Sequence, residues 1–324
     1  MNKRWVLLGV LFFWSTSGSS QNLKGLDTLK TSELIDTLFI DHNINNWSLR
    51  LFANYKEQRF RLSNATQNLY LVPNNPYGLG FGVATRKLIL DIAFNIKGQN
   101  EDPTKRFDLQ ATFIVKKHLF DVFFQTYQGF KVKNDFNDLE YFRNDLKSLS
   151  SGINYMYMFN ADEFSLGALK SGLSRQKKTA ITFGLGGFLI TNNQSAESSI
   201  VPPELQSLFN DEARLNKFMG IGAGVLGGFT ALFVLPANFF AVMNFTPGIG
   251  LMYKEVETED VKFKPSNPLV YKMNLFGVVG YNGNRFYINL AGGSGIYSTD
   301  LNFGNTSSFI LTNAKLSIGY KLGK

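Results

Sequence analysis

The sequence predicts an all-β fold, a transmembrane antiparallel β-barrel of twelve strands, with ten or fourteen as the alternatives. Three observations carry that expectation. The 324 residues include 31 Phe, 13 Tyr and 30 Gly against 9 Pro, at 18% charged, and aromatic and glycine enrichment favours strands over helices. Segments of about ten residues alternate between an apolar and a polar face, the pattern of strands that show one face to lipid and one to a lumen. The N-terminus carries the layout of an export signal, yet the chain contains no cysteine, so disulfides and a lipid-modified cysteine are both excluded.

Along the chain, Lys3-Arg4 precede an apolar run from Trp5 to Trp14, and Gly18 and Ser20 stand at −3 and −1 before Gln21. This layout predicts a signal peptide over residues 1–20, with cleavage expected after Ser20 and the outer membrane as destination. The apolar run is too short for a permanent membrane helix. Residues 21–46 form a periplasmic segment in which "TSELIDTLFIDHN" reads as a short helix, and residues 47–324 form the barrel.

The first barrel segment, "WSLRLFANYK" (47–56), sets Trp47, Leu49, Leu51, Ala53 and Tyr55 against Ser48, Arg50, Asn54 and Lys56. "KLILDIAFNIK" (87–97) sets Leu88, Leu90, Ile92, Phe94 and Ile96 against Lys87, Asp91, Asn95 and Lys97. "RFYINLA" (285–291) and "NAKLSIGYKL" (313–322) repeat the scheme. The uncharged "FMGIGAGVLGGFTALFVLP" (218–236) looks at first like a membrane helix, but five glycines between 220 and 228 weigh against one. Gly220, Gly222 and Gly224 alternate with Ile221, Ala223 and Val225, a period of two that belongs to a strand. "GLGFGVA" (78–84), "ITFGLGG" (181–187) and "GIGLM" (248–252) carry the same stamp.

The predicted strands fall near 47–56, 77–85, 88–97, 106–116, 119–130, 151–159, 163–190 (interrupted), 216–230, 238–254, 268–281, 285–298 and 309–322. Short turns are expected at 86–87, 116–117, 160–162, 235–237 and 282–284, and long connections at 57–76, 98–105, 131–150, 191–215, 255–267 and 299–308. The two sets interleave when 163–190 is one passage, which yields twelve strands with both termini on the periplasmic side. Within 191–215, "PPELQSLFNDEARL" reads as a short helix or folded loop that could cap the mouth. A soluble exported β-barrel is the architectural alternative, but it would need a large apolar core where the inward faces are polar.

Short motifs resemble one family. "YLVPN" (70–74) followed by "GLGFG" (78–82), "YQGF" (127–130), "EFS" (163–165) and "SRQKKTA" (174–180) followed by "GLGG" are similar to the Gram-negative outer-membrane proteins grouped as domain of unknown function 4421. The resemblance implies a β-barrel and no particular activity. The chain departs from the pattern at Thr179-Ala180 and at its C-terminus, which ends in Gly323-Lys324 instead of an aromatic residue.

The net charge of +8 is scattered singly among aromatic strands, without the basic stripe of a nucleic-acid-binding surface. The two histidines, His42 and His118, stand 76 positions apart with no cysteine to join them, so neither a metal cluster nor a nucleophile and base pair is readable. No enzyme activity and no cofactor are expected. The candidate lumen-lining residues are Arg50, Lys56, Asp91, Lys97, Lys272 and Arg285. The expected partners are outer-membrane lipid and a protein docked through the long loops. The expected role is a passive conduit or binding scaffold for small solutes, or else an accessory barrel that docks a partner.

Overall fold

The computed structural model describes residues 40–41, 47–85, 88–96, 104–138, 140–160 and 175–322. The expected signal peptide, most of the 21–46 segment including His42, and the first part of the 163–190 passage lie outside the described residues. Twelve long strands are present: β1 (Trp47–Ser63), β2 (Tyr77–Ala84), β3 (Leu88–Asn95), β4 (Lys105–Val115), β5 (His118–Asn134), β6 (Tyr141–Met158), β7 (Ala180–Ser195), β8 (Leu215–Val234), β9 (Phe239–Thr258), β10 (Leu269–Asn282), β11 (Phe286–Asn302) and β12 (Asn305–Leu322). Each pairs antiparallel with its chain neighbours, and β12 pairs with β1 from Thr306↔Ser63 to Leu322↔Trp47. The sheet therefore closes into a barrel with no free edge.

The outward row of each strand explains why closure costs no core. In β1, Trp47, Leu49 and Leu51 point out, while Ser48, Arg50 and Phe52 are buried inside. Leu51, Val225 and Leu251 are 62–70% exposed although fully apolar. Such residues recur on every face of the lower wall, a contiguous apolar belt far larger than a water-soluble monomer carries. Aromatic residues edge the belt on both sides. Near the turn end Phe239 meets Tyr281 at 5.4 Å, Phe286 meets Tyr320 at 4.9 Å, and His118 stacks on Tyr155 at 5.8 Å. Toward the loop end Tyr55 meets Tyr77 at 5.5 Å and Phe107 meets Phe124 at 6.3 Å. A belt between two aromatic girdles is the form of a transmembrane barrel.

The strands run further than the lipid-facing alternation predicts. Residues 131–150, expected as a long loop, are strand over 131–134 and 141–150, because β5 reaches Asn134 and β6 starts at Tyr141. Likewise β1 extends to Ser63 and β9 to Thr258, and β11 turns into β12 through Phe303-Gly304 alone. Beyond the belt the chain remains extended, but its outward side now meets water. A short strand, Asn68–Val72, pairs with the top of β1 on one side and with the top of β5 on the other. It bridges over the short β2, β3 and β4. Two closed hydrogen-bonded paths result, a lower ring of twelve strands and an upper ring of ten.

Two local features fit the wall. The bulge between Gln128 and Phe130 is placed by Gly129, whose φ of 84° a side chain would strain. Pro247 lies outward in β9 where the pairing with β8 lapses between Leu226↔Gly248 and Phe229↔Phe245, so its missing N–H breaks no ladder bond. The connection after β7 is the long one that the sequence indicates. Its "PPELQSLFNDEARL" stretch folds as two 3-10 turns, Pro203–Leu208 and Asp211–Ala213, and Asn210 caps the second by accepting a hydrogen bond from the Ala213 amide at 2.9 Å.

Candidate functional site in the barrel lumen

The lumen is layered. Alternation brings Arg50 from β1, Asp91 from β3 and Lys315 from β12 to one place. Arg50 Nε donates to Asp91 Oδ1 at 2.7 Å, and Lys315 Nζ binds the other carboxylate oxygen while lying 3.8 Å from the centre of the Phe52 ring. One step toward the loop end, Lys56 Nζ donates to Asp108 Oδ1 at 2.7 Å, and Tyr127 donates to Asp108 Oδ2 at 2.9 Å. Across the barrel, Lys272 binds Asn154 and sits between the rings of Phe188 and Tyr297, at 5.0 and 4.9 Å. Ions held inside a wall are tolerated when each meets an opposite charge, an amide or a ring face.

Four of the six sequence-predicted residues, Arg50, Lys56, Asp91 and Lys272, thus project into the interior and hold partners there. Lys97 lies outside the described residues. Arg285 does not line the lumen: it is exposed in the turn between β10 and β11, because β11 begins only at Phe286. The partners Asp108, Tyr127, Asn154 and Lys315 were missed as site residues, although the period of two in "KRFDLQATFIV" places Asp108 on the polar face.

Above this charged belt lies a layer of buried amides and hydroxyls. Gln58 Nε2 donates to Ser148 Oγ at 2.8 Å, and Ser150 Oγ donates to Asn192 Oδ1 at 3.4 Å. Gln125 is fully buried and neither of its amide atoms has a protein partner. Among the described residues no cluster of three acidic or histidine side chains could hold a metal.

The loop end of the lumen is largely apolar, with the buried Lys254 ammonium donating to Thr299 Oγ1 at 2.8 Å and to Asn267 O at 2.7 Å. Phe60, Leu62, Leu69, Leu71, Phe130, Val132, Phe218, Val256, Leu301 and Phe309 converge from around the upper ring. Ile200, Val201, Leu205, Phe209 and Ala213 from the 196–214 connection enter the same cluster. Polar bonds fix this insert at its rim: Arg143 Nη1 donates to Ser199 O at 3.0 Å, Asn64 Nδ2 to Leu208 O at 2.9 Å and Asn210 Nδ2 to Phe303 O at 2.9 Å. Inward glycines make room for the rings. A Cβ on Gly224 would stand 2.5 Å from Phe188 Cε1, and one on Gly152 would stand 2.6 Å from Phe123 Cε1. A second apolar cluster, with Ile114, Met158, Leu232, Val242 and Val278, fills one side of the turn end.

With the barrel and its lumen in place, the family model for the domain of unknown function DUF4421 matches residues 34–323. The chain belongs to the DUF4421 family. No curated protein matches it significantly. Among solved structures it is similar to the outer-membrane protease OmpT of Escherichia coli, at 8% identity and a TM-score of 0.39, covering 86% of this chain and 97% of that one. It is also similar to the β domain of the Bordetella autotransporter BrkA, at 10% identity and a TM-score of 0.35, covering 87% and 100%. A third likeness is to the toluene transporter TodX of Pseudomonas putida, at 10% identity and a TM-score of 0.26, covering 86% and 91%. At such scores these likenesses carry no argument about activity, and the architecture of this DUF4421 chain rests on its own strand pairing.

Proposed function

We propose that this DUF4421 protein resides in the outer membrane as a closed barrel, a binding or structural scaffold and not an open conduit, with its loop end toward the outside. The membrane reading rests on the exposed apolar belt and its two girdles. The closed reading rests on one observation: among the described residues, buried apolar side chains from every strand of the upper ring and from the 196–214 insert meet in one cluster at the loop end. A path for ions would need groups to replace their hydration, which Phe, Leu and Val cannot supply. Passage would require the insert to leave the mouth and its rim hydrogen bonds to break.

Conductance in planar bilayers tests this. The intact protein is expected to insert without discrete current steps, whereas removal of 199–212 should produce them. Discrete steps from the intact protein would overturn the closed reading.

A further inference from the structure

Among the described residues, the two ends of the barrel differ in charge. At the loop end, exposed acids such as Glu204, Asp211, Glu259 and Asp260 are interspersed with lysines and arginines. At the turn end, the described residues include Lys116 and Lys117 in the β4–β5 turn, Arg175, Lys177 and Lys178 just before β7, and Arg285 before β11. The backbone of Asp41 pairs with that of Arg175. Asp91 and Asp121, at similar depth, point into the lumen.

Most of these cations share one sector. The Lys117 carbonyl accepts from the Met158 amide at 2.8 Å, which brings the β4–β5 turn beside the end of β6. The segment before β7 is tied to the β8–β9 turn, since Arg175 Nη1 donates to Asn238 Oδ1 at 2.8 Å and the Val234 amide donates to Thr179 Oγ1 at 3.1 Å. Lys116, Lys177 and Lys178 are exposed. The sector lies just beyond the girdle of His118, Tyr155, Tyr157 and Phe159, that is, at the depth of lipid headgroups. Basic side chains next to aromatic anchors at a boundary attract lipid phosphate, by about a kilocalorie-scale, salt-sensitive effect for each residue.

From this geometry we infer that the turn-end sector formed by Lys116, Lys117, Arg175, Lys177 and Lys178 is a docking surface for anionic phospholipid, and that it recruits negatively charged headgroups from the surrounding leaflet. The inference rests on the membrane reading above. It holds equally for an open or a closed lumen.

The test uses the full protein in nanodiscs carrying spin-labelled phosphatidylglycerol or phosphatidylcholine, with the motionally restricted fraction of each measured by electron paramagnetic resonance. Wild type should prefer phosphatidylglycerol by at least about threefold at low salt. The combined Lys116→Gln, Lys177→Gln and Lys178→Gln variant should fall to near parity, while Lys147→Gln with Lys217→Gln, at the loop end, should keep the preference. Heat-modifiable migration on gels checks that each variant is folded. No preference in wild type, one that survives the triple change, or one lost equally in the loop-end variant would overturn the inference. Protein that never enters the nanodisc would instead overturn the membrane reading.

Discussion

The lower ring of twelve strands and the upper ring of ten are built from the same chains, and their polarity is opposite. In lower β1, Leu49 and Leu51 face out and Arg50 faces in. In upper β1, Arg59 and Arg61 face out while Phe60 and Leu62 face in. β6 reverses in the same way, with Arg143, Asp145 and Lys147 outside and Leu146 inside near the top, but Ile153 outside and Asn154 inside lower down. Along β1 and β6 the period of two runs through unbroken; only the surrounding solvent changes, from hydrocarbon to water. A ring of fewer strands is also narrower, so side chains and one inserted connection suffice to fill it.

The largest effect on this contrast should come from within the upper ring. Phe60 is buried, packs against Phe130 at 5.9 Å and Phe309 at 5.2 Å, and has no lipid to replace it. Phe60→Ala should cost about 3–5 kcal/mol in denaturant unfolding from lipid vesicles. A loss below about 1 kcal/mol would mean that the upper ring is not a packed core.

Val225→Arg probes the lower ring, in the middle of outward β8, with an expected cost of about 2–4 kcal/mol. The same arginine at Ser298, outward on upper β11, should cost little. Equal costs at the two positions would erase the boundary between the rings.

The smallest effect is at the rim, where Glu140 bonds Lys133 at 2.6 Å and Lys131 at 3.3 Å. The hydrogen bond from Lys133, aided by that from Lys131, holds its carboxyl below the usual range despite some opposing desolvation. Because the folded value is the lower one, the contribution is present above the ordinary value of 4.5 and is lost as pH falls through the folded value. Glu140→Gln should remove that small acid-side dependence and leave stability at neutral pH nearly unchanged, as exposed pairs do. A large loss at pH 7 would contradict this.

The lower ring was legible in the sequence because hydrocarbon imposes an apolar row on one side, as in Trp47, Leu49 and Leu51. The upper ring was not. "EQRFRLS" (57–63) and "YFRNDLKSLS" (141–150) keep the alternation but place charges on the row that had been apolar, so a search for lipid-facing strands ends at the membrane surface and reads loops beyond it. The inward charges Arg50, Lys56, Asp91 and Lys272 were readable from period alone. Their pairing was not, since Asp91 meets Lys315 across 224 positions of sequence, a contact fixed by ring closure and strand stagger. Arg285 was misplaced by one residue at a strand end, where a turn takes over the alternation.

The absence of cysteine makes one measurement direct. Single nitroxide labels on Val225→Cys and Leu251→Cys, and on Lys217→Cys and Glu257→Cys higher on the same two strands, would be compared for access to oxygen and to a water-soluble nickel chelate in lipid vesicles. Inverted polarity predicts oxygen access without chelate access at 225 and 251, and chelate access at 217 and 257. Chelate access at 225 and 251 matching that at 217 and 257 would contradict it.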